Sequence, residues 1–215
     1  MRPGHEAMSV LTEALSPLPL LAILRGLPAA DAAAVADRLL GAGLRVLEVP
    51  LNRPGAVGSL RALVQHVGSR GLVGAGSVFS PDQVEDVVAA GGRFVVMPHG
   101  DPRVIAACRA AALPCVPGVA TPSEAFAALA AGADALKLFP AQSLPPAVVA
   151  AWRAVLPPQT WLIMVGGITA ESIAPYRAAG AQGFGLGSVI YQPGMALDDV
   201  ESAAHAFVAA CSTPT

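Results

Sequence analysis

P-C-V-P-G-V-A-T-P-S-E-A-F-A-A-L-A-A-G-A-D-A-L-K-L-F, residues 114–139, contains one complete period of a repeating pattern. A short apolar run (P-C-V-P, 114–117) leads to Thr121-Pro122-Ser123-Glu124, a hydroxyl ahead of an early acid, as a helix start prefers. An alanine-rich segment of helical period follows, and Gly132 offers a left-handed exit. The chain then enters a second apolar run, A-L-K-L-F (135–139), so the period reads strand, helix, strand.

The same unit recurs on both sides. Further strands are expected at L-L-A-I-L (20–24), R-V-L-E-V (45–49), L-V-G-A-G (72–76), F-V-V-M (94–97), L-I-M-V-G (162–166) and G-F-G-L-G (183–187), eight in all. Ser80-Pro81 and Thr169-Ala170-Glu171 mark other helix starts, and Gly41, Gly43, Gly91, Gly92 and Gly180 fall at helix ends. Strand ends roughly 20 to 30 residues apart predict an α/β fold, a single-domain (β/α)8 TIM barrel; an open doubly wound sheet is the alternative. The expected division is a helical or loose lead-in over residues 1–16 and the barrel over 17–215.

Of the 215 residues 54% are hydrophobic and 13% charged, enough for a large interior with apolar surface left over for a subunit interface. The net charge of −2 comes with no basic stripe, so neither nucleic acid nor an anionic membrane is expected as a partner. Cys108, Cys115 and Cys211 form no C-x-x-C pair and read as buried small apolar residues in a reducing cytosol. Glu13, Pro17 and Pro19 interrupt the early apolar stretch, so no membrane span or leader is expected and the protein reads as cytoplasmic.

In such a barrel the chemistry comes from the carboxyl ends of the strands. Lys137, inside A-L-K-L-F, is the only lysine in the chain; the other basic side chains are all arginine. A lysine in an apolar wall has its ammonium form disfavoured, which frees the amine as a nucleophile toward a carbonyl; the alternative is a side chain threading out to solvent or paired with a buried acid. Glu48, in V-L-E-V-P, is either the acid/base that such an amine needs or half of a structural ion pair with Lys137 or Arg25. Arg25 suits a carboxylate, or stands in water at the rim. V-G-G-I-T (165–169) and G-L-G-S (185–188) close the last two strands, where barrels hold phosphate on backbone N–H groups. His5, His66, His99 and His205 show no ligand spacing, so no metal site is expected.

L-A-I-L-R-G, L-E-V-P-L-N, V-G-A-G-S-V, C-V-P-G-V-A-T-P-S-E-A, A-L-K-L-F-P, V-G-G-I-T and G-L-G-S, in this order between residue 20 and about 195, resemble the bacterial 2-keto-3-deoxy-6-phospho-sugar-acid aldolases. The resemblance implies a homotrimeric class I aldolase on an (α/β)8 barrel that needs no cofactor or metal and yields pyruvate and glyceraldehyde 3-phosphate. It implies Lys137 as the Schiff-base lysine and Glu48 as the general acid/base. Arg25, Ser77 and Pro98 stand at the carboxylate end, Phe139 lines the pocket, and Gly166, Gly167, Gly187 and Ser188 stand at the phosphate. Asn52 and Val165 replace the arginine and threonine of gluconate-type members and look like the galactonate type, so the galactonate epimer is the expected substrate and the gluconate epimer the alternative. A sugar-phosphate isomerase or epimerase, or a non-catalytic sugar-phosphate-binding subunit, would use the same phosphate end without needing the lysine.

Overall fold

Strands flanked by helices on one side and a filled interior on the other are buried on both faces, and the apolar runs meet that requirement. In the computed structural model, which describes residues 10–11 and 13–212, the strands are β1 (Leu20–Ile23), β2 (Val46–Pro50), β3 (Leu72–Gly76), β4 (Val95–Val96), β5 (Cys115–Val116), β6 (Gly118–Val119), β7 (Ala135–Leu138), β8 (Trp161–Val165) and β9 (Gly183–Leu186). All pair in parallel, in the order β5-β4-β3-β2-β1-β9-β8-β7-β6. The helices outside them are α1 (Ala32–Gly41), α2 (Ala56–Val67), α3 (Pro81–Ala89), α4 (Pro102–Ala110), α5 (Pro122–Ala131), α6 (Pro146–Arg153), α7 (Ala170–Ala178) and α8 (Leu197–Ser212).

Nine strands occupy eight barrel positions, because the fifth is divided at Pro117. Proline has no N–H to give to a ladder. Residues 114–119 pair on one side through Val95 N–H to the Pro114 carbonyl (2.9 Å) and Met97 N–H to Val116 (3.0 Å). On the other side Lys137 N–H donates to the Pro117 carbonyl (2.9 Å) and Phe139 N–H to Val119 (3.1 Å). The two ends of the sheet are therefore one continuous piece of chain, which closes the barrel and excludes the open doubly wound sheet.

Helix starts follow the local chemistry. Ser80 accepts from Gln83 N–H ahead of α3, and Thr121 forms a capping box with Glu124 ahead of α5. Ahead of α7 the box of Thr169 is closed by Ser172, while Glu171 lies in the first turn. Gly132, with φ +101°, is the left-handed residue that ends α5.

Period two along each strand sorts the side chains. Leu20, Ala22, Leu47 and Leu136 face the helices, whereas Leu21, Ile23, Val46, Leu72, Phe94, Val96, Val116, Ala135, Ile163 and Val165 fill the interior. Of the 1–16 lead-in, residues 1–9 and 12 lie outside the described residues; residues 10–11 and 13–15 are helical, and Leu11 and Leu15 pack into the same interior cluster. Each buried leucine of this kind contributes about 1.5–3 kcal/mol. This segment therefore fills the barrel at the end where the strands begin, leaving the opposite mouth for the site.

Candidate active site

The alternation that fills the interior also places its two charged groups. Glu48 lies two residues beyond Val46, and Lys137 two beyond Ala135, so both face inward one layer nearer the carboxyl ends of the strands. Glu48 is 2% exposed and Lys137 6%. Room for the carboxyl comes from β3, where Glu48 is in register with Gly74 and a Cβ built on Gly76 would overlap the Glu48 carboxyl. Gly76 is thus a glycine for reasons of space. Gly76→Ala is expected to lower turnover by about 100-fold by displacing the carboxyl; steady-state kinetics beside a melting curve separates that from unfolding.

Burial acts on the two groups in opposite senses. It pushes the Glu48 carboxyl up to about 7, against the pull of the Lys137 and Arg25 charges. It lowers the pKa of Lys137, which the Glu48 charge resists and the Arg25 charge assists. Glu48 Oε2 has no hydrogen-bond partner among the described residues, and the cations act on the carboxyl through charge rather than contact. The structural ion pair weighed as an alternative is not formed. Lys137 does not thread out to solvent either: its Nζ stands 4.6 Å from the centroid of the Phe139 ring. A lysine whose ammonium form burial disfavours and a carboxyl raised toward neutrality are the kinds of group that addition of an amine to a carbonyl, with acid/base assistance, would use.

Beside them, reached through Phe139 rather than lined by Lys137 or Glu48 themselves, opens a cavity of about 630 Å³ lined by Arg25, Arg53, Phe139, Val165, Gly166, Gly167, Gly187 and Ser188, with Tyr191, Gln192 and Pro193 closing one side. Its lining carries two guanidiniums and no carboxylate, which suits an anionic ligand. Asn52 does not line it; its Oδ1 accepts from Arg25 Nη1 at 2.8 Å, so it orients the arginine. Ser77 and Pro98 follow β3 and β4 at the same end without lining this cavity. Ser77 has φ +51°, a strained backbone for a residue with a side chain, and a Cβ on Gly118 would collide with the Pro98 carbonyl.

Arg53, one residue beyond Asn52 and long enough to reach the space of the arginine that Asn52 replaces, lines the cavity, whereas sequence reasoning gave the 191–193 segment no place. Tyr191-Gln192-Pro193 carries no local signal; it is brought in by Gly26, whose added Cβ would lie 3.1 Å from Pro193. The described histidines do not line the cavity: His66 Nε2 pairs with Asp37 (2.8 Å) and His99 stands 6.0 Å from the Phe79 ring; His5 lies outside the described residues. Among the described residues no group of His, Cys, Asp and Glu is arranged to hold a metal, and no helix is long and apolar enough to cross a membrane.

The comparisons with known proteins agree with this geometry. The KDPG and KHG aldolase family matches residues 11–205. A probable 2-dehydro-3-deoxy-6-phosphogalactonate aldolase of Rhizobium meliloti (strain 1021) is 43% identical over 192 residues, 89% of this chain and 91% of the relative. A structure described as native KDPGal superposes with a TM-score of 0.88 at 40% identity, covering 90% and 94% of the two chains. A KDPG aldolase from Legionella pneumophila, with pyruvate captured as a covalent carbinolamine, superposes with a TM-score of 0.81 at 29% identity over 99% of both chains.

Proposed function

This chain belongs to the KDPG and KHG aldolase family, and on that premise we propose that it cleaves 2-dehydro-3-deoxy-6-phosphogalactonate to pyruvate and D-glyceraldehyde 3-phosphate through a Schiff base on Lys137. The observation that carries the proposal is the buried Lys137 facing the partnerless Glu48 carboxyl beside a cavity with two arginines. The Lys137 amine adds to the C2 ketone, and Glu48 protonates the departing hydroxyl to give the iminium. As carboxylate, Glu48 then takes the proton of the C4 hydroxyl; the C3–C4 bond breaks, its electrons pass to the iminium, and the aldehyde leaves. Glu48 returns that proton to C3 of the enamine and accepts one from the water that hydrolyses the imine, which frees pyruvate and restores the amine. Arg25, held by Asn52, with Ser77 and Pro98, takes the carboxylate end; Gly166, Gly167, Gly187 and Ser188 take the phosphate. A grip at both ends fixes the reacting carbon over the amine. Release of pyruvate from the galactonate substrate in the presence of EDTA, followed with lactate dehydrogenase, is the expected result; no pyruvate from either epimer would end the proposal.

Preference for the galactonate epimer is supported by the relatives named for it and by Val165, which gives the cavity wall a methyl where a threonine would give a hydroxyl. Val165→Thr, alone and with Asn52→Arg, is expected to move the ratio of kcat/KM values toward the gluconate epimer by about tenfold or more, because a buried hydroxyl rewards the epimer that pairs with it. An unchanged ratio in both variants would remove these positions from the specificity argument. The working form is proposed to be a cytoplasmic homotrimer, supported by the exposed Phe79, Val88 and Phe126, which leave apolar surface for a neighbouring subunit to cover.

A further inference from the structure

Gln142 was not singled out by any sequence motif. It sits in the short turn Ala141–Ser143 after β7, where Ser143 N–H donates to the Pro140 carbonyl (3.0 Å) and the buried Tyr176 hydroxyl of α7 donates to the Ala141 carbonyl (3.0 Å). The turn is therefore fixed to the helix that follows the V-G-G-I-T loop. From this anchored base the Gln142 side chain lies across that loop. With the amide assigned the orientation that satisfies both of its ends, its nitrogen donates to the Gly166 carbonyl (3.0 Å) and its oxygen accepts from Gly167 N–H (3.3 Å).

The two glycines make this contact possible. A Cβ on Gly167 would lie 2.6 Å from the amide carbon of Gln142, and one on Gly166 would lie 2.9 Å from the end of the same amide. Both glycines also have positive φ, +102° and +66°, so the loop has a conformation only glycine adopts without strain, and the amide occupies the space their missing side chains leave. Gly166 and Gly167 line the cavity on one side and carry Gln142 on the other. A two-residue glycine segment is the most mobile sort of backbone, and an anion site built on it needs something to hold its N–H groups in place.

We infer that Gln142 is the positioning residue of the cavity's phosphate end, holding the Gly166–Gly167 backbone in the conformation that receives a phosphate monoester. It touches no reacting atom; it acts through the loop. The inference takes its ligand from the proposed function, but a phosphate-binding measurement tests it without turnover. Because the Gln142 side chain is exposed, its removal opens no core, and Gln142→Ala should melt as the parent does.

Titration of the full chain with inorganic phosphate by calorimetry is expected to give a Kd about tenfold weaker for Gln142→Ala, two hydrogen bonds having been lost from the loop. Gln142→Glu should be weaker still, since a carboxylate can accept from Gly167 N–H but repels the Gly166 carbonyl and the incoming anion. KM for the sugar-acid phosphate should rise by the same factor with kcat within about twofold, and the pyruvate–borohydride adduct at Lys137 should form as in the parent. An unchanged phosphate Kd in Gln142→Ala, or a Gln142→Glu chain that binds phosphate as the parent does, would overturn the inference, as would loss of kcat with KM unmoved. Failure of the aldolase proposal shows up elsewhere, as no pyruvate adduct on the parent protein, and leaves the phosphate titration able to decide the role of Gln142.

Discussion

Lys137→Arg is expected to abolish aldol cleavage, with kcat falling on the order of 10⁴-fold or more in a protein that still folds. The argument is one of bonding. A guanidinium never surrenders its proton near neutral pH and has no free pair to add to a ketone, so it keeps the charge and loses the chemistry. Lys137→Met is the companion variant, because arginine is larger than the site was built for. Methionine keeps the length of the side chain and drops the charge, and it should be equally inactive. It should also drive the Glu48 carboxyl further up, since the Lys137 charge is the first of the two forces opposing burial there. More than about a hundredth of the parental kcat in either variant is incompatible with an amine nucleophile at this position.

Glu48→Gln is expected to lower turnover by about 10²–10⁴-fold, the range typical of removing a positioned acid/base. Four of the proton movements in the proposed cycle pass through this carboxyl, and an amide makes none of them. The pH dependence has a definite sign. Abstraction of a methyl proton from the pyruvate imine needs the carboxylate, so exchange of the pyruvate C3 protons into D₂O should rise as pH increases through about 7 and then level off. In Glu48→Gln that limb disappears. Linkage gives stability the opposite sense. The carboxyl is raised from 4.5 to about 7 by folding, so between these values the native state holds a proton that the unfolded chain has lost. Stability is therefore fully present below about 4.5 and falls as pH rises through about 7, a burden the site carries for keeping a base in a dry place. NMR of pyruvate deuteration across pH 5–9 reads the catalytic limb directly.

The barrel was legible because its strands are apolar on both faces and its helix starts are marked locally by Ser80, Thr121 and Thr169. Lys137 was legible because a lone lysine in a buried run has no structural excuse, and Glu48 because a carboxyl in V-L-E-V-P must be inside. What could not be read depends on partners far along the chain. The division of the fifth strand at Pro117 is fixed by ladders to two different neighbours. Asp134, unremarkable in sequence, accepts from Cys115 N–H at 2.8 Å and so secures that same strand. Asn52 was assigned to specificity as a residue facing substrate, and its visible work is to hold Arg25. Gly76, the last residue of an expected strand, is the space Glu48 fills, while Gly166 and Gly167 serve Gln142 as well as the cavity. In each case the residue type was plain in the sequence and its partner was not.

The central claim is that the Lys137 amine forms an imine with a 2-keto acid. The direct measurement is the intact mass of the protein after incubation with pyruvate and borohydride, followed by peptide mapping. One reduced pyruvyl adduct per chain, on the peptide containing Lys137, is the predicted result. A folded protein that gains no mass, or gains it on its terminal amine alone, would contradict the claim and leave the barrel with an anion cavity whose chemistry does not pass through this lysine.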